Sequence, residues 1–205
     1  MGGTLKKKMR KIKKNFYNRN TIKVAQEILG KFLVRKIGKK IIAGKIVETE
    51  AYVGPSDLAS HASRGKTART EPMFGPPGHA YVYLVYGLNY CFNIVTEKEN
   101  YPAAVLIRAI EPTDGIDLIK KFRKNQKIIF NLTNGPGKLC QALKIDKSLN
   151  NSDISKNILW VEDRGLKIKP SEIVAAKRIG VDYAGQYKNK PWRFYLRGNP
   201  FVSKI

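Results

Sequence analysis

The sequence predicts a single compact α+β domain: a curved, mainly antiparallel sheet with flanking helices and a protruding β-hairpin. Three observations predict it. A chain of 205 residues is long enough to bury one core and short for two. Its apolar segments are mostly short alternating runs bounded by turn residues, with a few helical stretches between them. No internal repeat or linker-like stretch divides the chain.

The elements follow in order. KKKMRKIKK (6–14) is a basic run with little to bury, so residues 1–18 read as a flexible arm ahead of a domain over 19–205. Such a run suits a solvated tail, a DNA-clinging arm or a nuclear localisation signal alike. From Thr21 the pattern turns helical: Asn20 or Thr21 can cap, Val24, Ala25, Ile28 and Leu29 share a face, and Gly30 can end the helix. Strands are expected over Lys31 to Ile37 and from Ile41 to about Tyr52, joined by a Gly38-Lys39-Lys40 turn. Residues 53–79 carry turn residues throughout, together with His61, Arg64, Lys66 and Arg69. A loop of that length in a compact domain is usually functional or disordered. AYVYLVYG (80–87) and YCFNIVT (90–96) form a hairpin with aromatic residues at its tip. Ala103 to Ile110 is a further strand, which Pro112 ends. Helices follow around 114–123 and 137–144, the second entered through Asn134-Gly-Pro-Gly, with short strands at 158–163 and 193–197.

Charge is the strongest global signal. With 39 Lys plus Arg against 16 Asp plus Glu, the formal balance is +23. A field of that size favours polyanions, nucleic acid before anionic membrane, though a Lys-, Asn- and Ile-rich chain also reflects genome composition. Basicity says nothing about chemistry; a ribosomal or tRNA-binding protein would look the same. No apolar run approaches the roughly 20 residues that span a bilayer, and the N-terminus lacks the apolar region of a secretory signal. Cys91 and Cys140 fit no metal spacing and are expected buried and reduced, in an intracellular setting. A cytoplasmic monomer without metal or cofactor is the expectation, at the nucleoid in a bacterial host or in the nucleus of a eukaryotic one.

Several residues could carry chemistry. On an extended Ile46–Tyr52 strand, Glu48, Glu50 and Tyr52 share one face while Val47 and Ala51 turn to the core. Two carboxylates and a phenol beside a basic loop make either a reaction site or a salt-bridged solvent face. Arg108 lies among Val105, Leu106 and Ile107, where a guanidinium needs a carboxylate partner; Glu50 is the candidate. Tyr81 and Tyr83 share a strand face, and strand aromatics are normally core. Tyr86, next to Gly87 at the hairpin tip, has less core to enter and is placed to wedge between bases. His61 suits a loop hydrogen bond better than a metal. Asn93 is an ordinary strand residue or a group that rejects the wrong base edge. The Asn-Gly-Pro-Gly-Lys138 stretch lacks the spacing of a nucleotide-triphosphate loop but suits a helix N-terminus with a lysine aimed at a phosphate.

These residues sit in five blocks: ETEAYVGPSDLASHASRG (48–65), MFGPPGHAYVYLVYGLNYCFNIV (73–95), AVLIRAIEP (104–112), GPGKLCQAL (135–143), and RIGVDYAG with RFYLRGNPFVS (178–203). In that order, and over nearly the whole chain from about residue 21, the sequence resembles the alkyladenine, or 3-methyladenine, DNA glycosylase family. The resemblance implies a metal-free, monofunctional enzyme that flips a modified purine from duplex DNA, the hairpin entering the helix. It implies Glu50 as the general base on water, with Arg108 and a backbone carbonyl near Ile179 helping to hold that water. It further implies Tyr52, His61, Tyr83 and Asn93 as the base pocket, Tyr86 as the intercalating wedge, and Arg69, Lys138 and Lys147 as contacts to the DNA backbone. Leu88 and Asn89 stand where better-known members carry bulkier residues, and the 62–72 loop differs slightly in length.

Overall fold

The computed structural model describes residues 9–124 and 126–203. In chain order the strands are β1 (Arg10–Lys11), β2 (Phe32–Ile37), β3 (Lys40–Tyr52), β4 (Ala80–Val85), β5 (Asn89–Val95), β6 (Ala104–Asp114), β7 (Leu159–Asp163), β8 (Ile173–Ala176) and β9 (Arg193–Leu196). The helices are α1 (Lys14–Tyr17), α2 (Thr21–Glu27), α3 (Ile116–Phe122) and α4 (Pro136–Leu143).

The long alternating run of β3 makes it the centre of the sheet. Its first half pairs with β2, β6 runs along its length, and β9 takes over beside Glu48–Glu50. The described strands form one antiparallel sheet in the order β1-β7-β2-β3-β6-β5-β4, with β9 on β3 and β8 on β9. Register shifts on β3 between Ala43 and Gly44 and across Ile46–Thr49 give the local bend and twist that bulges impose. This is the expected α+β architecture.

Ile46, Val47 and Ala51 enter the apolar core with Phe92, Ile94, Val105 and Ile107, while Glu48 and Glu50, equally enclosed, gather around Arg108 of β6. Helix α2 starts as its sequence suggests, with the Asn20 side chain accepting from the Lys23 amide at 3.2 Å. Helix α4 has Pro136 in its first turn and buries Leu139, Cys140, Ala142 and Leu143 against β5 and β6. None of the described helices is long and apolar enough to cross a membrane.

Two expectations need correction. Pro112 does not end β6, which continues to Asp114. It lies opposite Gly44 beside a register shift, and a bulge tolerates a residue without an N–H. A Cβ on Gly44 would come within 2.7 Å of Ile110 Cδ1, so only glycine lets the two strands approach here. The second correction concerns the arm. Residues 1–8 lie outside the described residues, but residues 9–18, expected in the arm, belong to the domain. β1 pairs with β7, Tyr17 is fully buried, and its carbonyl accepts from the Glu97 amide at 3.0 Å. One aromatic anchor outweighs the solvation of the surrounding lysines.

The 53–79 loop is built rather than loose. It contains 3-10 turns at His61–Arg64 and Glu71–Phe74 and buries Ala59, Ala62 and Met73.

Candidate active site

The end of β3 and the middle of β6 meet at an ion-paired cluster. Arg108 Nε lies 3.0 Å from Glu48 Oε1, and its Nη1 lies 3.2 Å from Glu50 Oε1. Arg193 Nη1 joins Glu48 Oε1 at 3.1 Å, and Ser203 adds its amide and hydroxyl to Glu48 at 2.7 and 2.9 Å. Two carboxylates thus meet two guanidiniums, a neutral arrangement that burial tolerates. Burial pulls the Arg108 pKa down, but the charges of Glu50 and Glu48 more than offset this and hold it above the ordinary arginine value.

Glu50 holds a different position within the cluster. Besides Arg108, its carboxylate accepts from the Ile179 amide at 2.8 Å and from the Tyr52 hydroxyl at 2.9 Å. The Ile179 block therefore meets Glu50 through its N–H. Arg108, Tyr52 and Ile179 all line one cavity of about 660 Å³, so the carboxylate lies directly behind that wall. A carboxylate so fixed can orient or deprotonate a water and stabilise a cationic centre.

The cavity walls come from the loop and the hairpin. His61, Tyr83, Asn93 and Arg69 line it along with Tyr52 and Arg108. The imidazole packs edge-on to Tyr83, with ring centroids 4.5 Å apart, and its Nδ1 is 3.1 Å from the Tyr81 hydroxyl. Burial and the nearby charges of Arg69 and Arg64 push the His61 pKa down to about 4, so the ring is neutral at physiological pH. Burial pushes the Tyr81 hydroxyl up to about 12 and the Tyr52 and Tyr83 hydroxyls upward as well. All three phenols stay protonated. Asn93, buried, donates from Nδ2 to the Tyr81 carbonyl at 3.0 Å, which fixes its orientation.

Tyr86 stands at the rim, 95% exposed. The tip is a tight turn closed by the Leu88 amide on the Val85 carbonyl at 3.0 Å, with φ of 48° at Tyr86 and 71° at Gly87. Left-handed backbone at a bulky residue is costly and concentrates at functional sites.

Not every expected site residue converges here. Arg69 is exposed, but its guanidinium sits 5.2 Å from the Tyr83 ring centroid, at the pocket edge rather than out on the surface. Lys138, in the first turn of α4, bonds Asn134 Oδ1 at 2.7 Å just beyond the rim residue Pro136. Lys147, exposed, opens a 3-10 turn at Lys147–Leu149 and is not among the cavity's residues. Sequence reasoning missed Glu48 as the second partner of Arg108, and missed Arg193, Ser203 and the rim residues Leu58 and Tyr183 altogether. Exposure of the last two, 51% and 66%, has no signature in the sequence. A second buried arginine on an apolar strand, Arg193 beside Phe194, was a signal of the kind that revealed Arg108.

Strong positive charge, an aromatic-walled cavity and a fixed carboxylate behind it occur together in the DNA glycosylases, hydrolases of N-glycosyl bonds that act in DNA repair. Comparison with known proteins supplies the family: the family model described as methylpurine-DNA glycosylase matches residues 15–200. The chain belongs to that family. It is 52% identical over 192 residues to a protein of Methanocella arvoryzae, covering 93% of this chain and 94% of that one. It is 49% identical to one of Desulfitobacterium hafniense, covering 95% and 99%, and 46% identical to one of Legionella pneumophila, covering 96% and 100%. All three carry the name "Putative 3-methyladenine DNA glycosylase".

Proposed function

We propose that this chain flips alkylated or otherwise modified purines out of duplex DNA and hydrolyses their N-glycosidic bond with water activated by Glu50, leaving an abasic site. The observation that carries the reading is the Glu50 carboxylate, fully buried and held by Arg108, Ile179 and Tyr52 behind the wall of the aromatic cavity. Glycosidic cleavage passes through an oxocarbenium-like sugar, which a nearby carboxylate stabilises while it takes a proton from water. Alkylation at N3 or N7 makes the purine cationic and a good leaving group, so a second carboxyl acid is unnecessary. Glu48 fits that economy: it is consumed by Arg108, Arg193 and Ser203 and serves as an anchor.

The remaining roles are part of the same proposal. Arg108 holds Glu50 and the water. Tyr52, Tyr83 and His61 enclose the extruded base, and aromatic faces favour electron-poor, cationic rings. Asn93, fixed by its bond to the Tyr81 carbonyl, rejects the exocyclic amino group of normal guanine. Tyr86 fills the space left in the duplex. Arg69, Lys138 and Lys147 contact phosphates. The substrate class comprises the cationic 3-methyladenine and 7-methylguanine together with the neutral hypoxanthine and ethenoadenine, whose release needs a proton on the leaving base as well; the enzyme works as a monomer on chromosomal DNA, in the cytoplasm of a bacterial or archaeal host.

The test is a base-release assay with duplexes carrying each of these bases, beside an undamaged duplex and an intact RNA. Release of at least one modified purine, with an abasic site left unbroken, is expected. No release, with equal affinity for RNA, would instead make the chain a nucleic-acid binder.

A further inference from the structure

Two buried residues outside the proposed chemistry reach both of its working parts. Asp57 and Arg178 have fully enclosed side chains, joined by Nη1 to Oδ2 at 2.5 Å and Nη2 to Oδ1 at 2.8 Å. Such a fork fixes the plane of the guanidinium as well as its place. From that plane Nη1 donates to the Ala51 carbonyl at 2.9 Å and Nη2 to the Tyr187 carbonyl at 3.3 Å. The guanidinium carbon also lies 4.9 Å from the Tyr52 ring centroid and 5.0 Å from that of Trp192. Asp57 in turn accepts from the amides of Val53 and Ala59 at 3.0 and 3.1 Å, fixing the start of the loop that carries His61. The residue after Arg178 is Ile179, whose amide donates to Glu50.

One ion pair therefore ties together the end of β3, the pocket loop, the Tyr52 ring and a donor to Glu50. Net stability is a weak explanation for it. Enclosing both charges costs about as much as their attraction returns, and Arg178 Nε is buried with no partner among the described residues. We propose that Arg178 and Asp57 are positioning residues of the reaction: through Ile179 they set the direction of the Glu50 carboxylate, and through Tyr52 they set the wall against which the base lies. This role rests on the assignment of Glu50 and Tyr52 above. Neither Arg178 nor Asp57 lines the cavity, so neither touches the base.

Asp57→Asn keeps the shape and removes the charge; Arg178→Lys keeps the charge and removes the fork. On a duplex with an alkylated purine, each is expected to slow single-turnover release by about tenfold or more while duplex affinity stays within about threefold, because small misplacements of a reacting group cost rate before binding. Hydrogen exchange gives a readout independent of turnover: the Ile179 amide should exchange faster while the Ile107 amide stays protected. Should a single variant fail to fold, Asp57→Asn with Arg178→Gln, which buries no net charge, is measured in the same way. An unchanged rate in a folded variant, or unchanged Ile179 exchange, would overturn the positioning role. A wild-type chain that releases no base would refute the proposed function instead, and Ile179 exchange then decides the role of the pair alone.

Discussion

Replacing Arg108 by methionine keeps most of its aliphatic volume and deletes the charge that joins Glu48 to Glu50. Arg108 is 6% exposed, and its two contacts at 3.0 and 3.2 Å are the direct link between the carboxylates. Without it, Glu48 keeps Arg193 and Ser203, whereas among the described residues Glu50 keeps neutral donors, the Ile179 amide and the Tyr52 hydroxyl. Breaking a buried ion pair from one side costs about 3–5 kcal/mol, and the surviving donors place this case near the lower end. At about 2–4 °C per kcal/mol for a chain of this length, a loss of about 3 kcal/mol lowers Tm by roughly 6–12 °C. Urea unfolding at neutral pH, followed by tryptophan fluorescence, measures the loss. Adding Glu50→Gln to the variant should recover part of the stability, because the uncompensated charge is gone. A cost under about 1 kcal/mol, as for a surface pair, or no recovery in the double variant would refute the cluster as a buried electrostatic unit.

Two further substitutions separate binding from folding. Tyr86→Ala removes a side chain that is 95% exposed, so folding stability should change by no more than about 0.5 kcal/mol. Affinity for a lesion-bearing duplex, read by fluorescence anisotropy, should nonetheless fall by about tenfold or more, as loss of a stacking contact implies; unchanged affinity would contradict the wedge. His61 should titrate near pH 4 in the folded chain, against about 6.5 when unfolded. The unfolded chain then binds the extra proton between those values, so stability falls as pH drops through that window and is unaffected above it. An NMR titration midpoint near 6.5 would contradict the buried, neutral ring, and His61→Gln should flatten the acid-side loss of stability.

The legible parts of the fold are those whose local signals agree. Alternation along β3, β4 and β5 and the Asn20 cap of α2 mark elements that the structure forms within a residue or two. β8 was not legible, because its four residues pair only with β9 and bury little. Nor was the N-terminal strap, where a single tyrosine anchors a stretch that reads as solvated lysine. In the site, the expected pairing of Arg108 with Glu50 was visible from one cation in an apolar strand. The Asp57–Arg178 and Glu48–Ser203 contacts span 121 and 155 residues, and no local period records a partner so distant. Family resemblance supplied the candidate pocket residues, but it did not tell that the Ile179 amide donates to Glu50.

The central claim is that one carboxylate drives release of the base. Single-turnover release and duplex binding, compared between the wild-type chain and Glu50→Gln on DNA carrying 7-methylguanine or 3-methyladenine, test it most directly. Glutamine preserves the shape of the side chain beside Arg108 and Tyr52 but cannot take a proton from water. Release should fall by about 10²–10⁴-fold, the range that a positioned general base contributes, with duplex affinity nearly unchanged. Release by Glu50→Gln at a rate close to that of the wild type would contradict the claim.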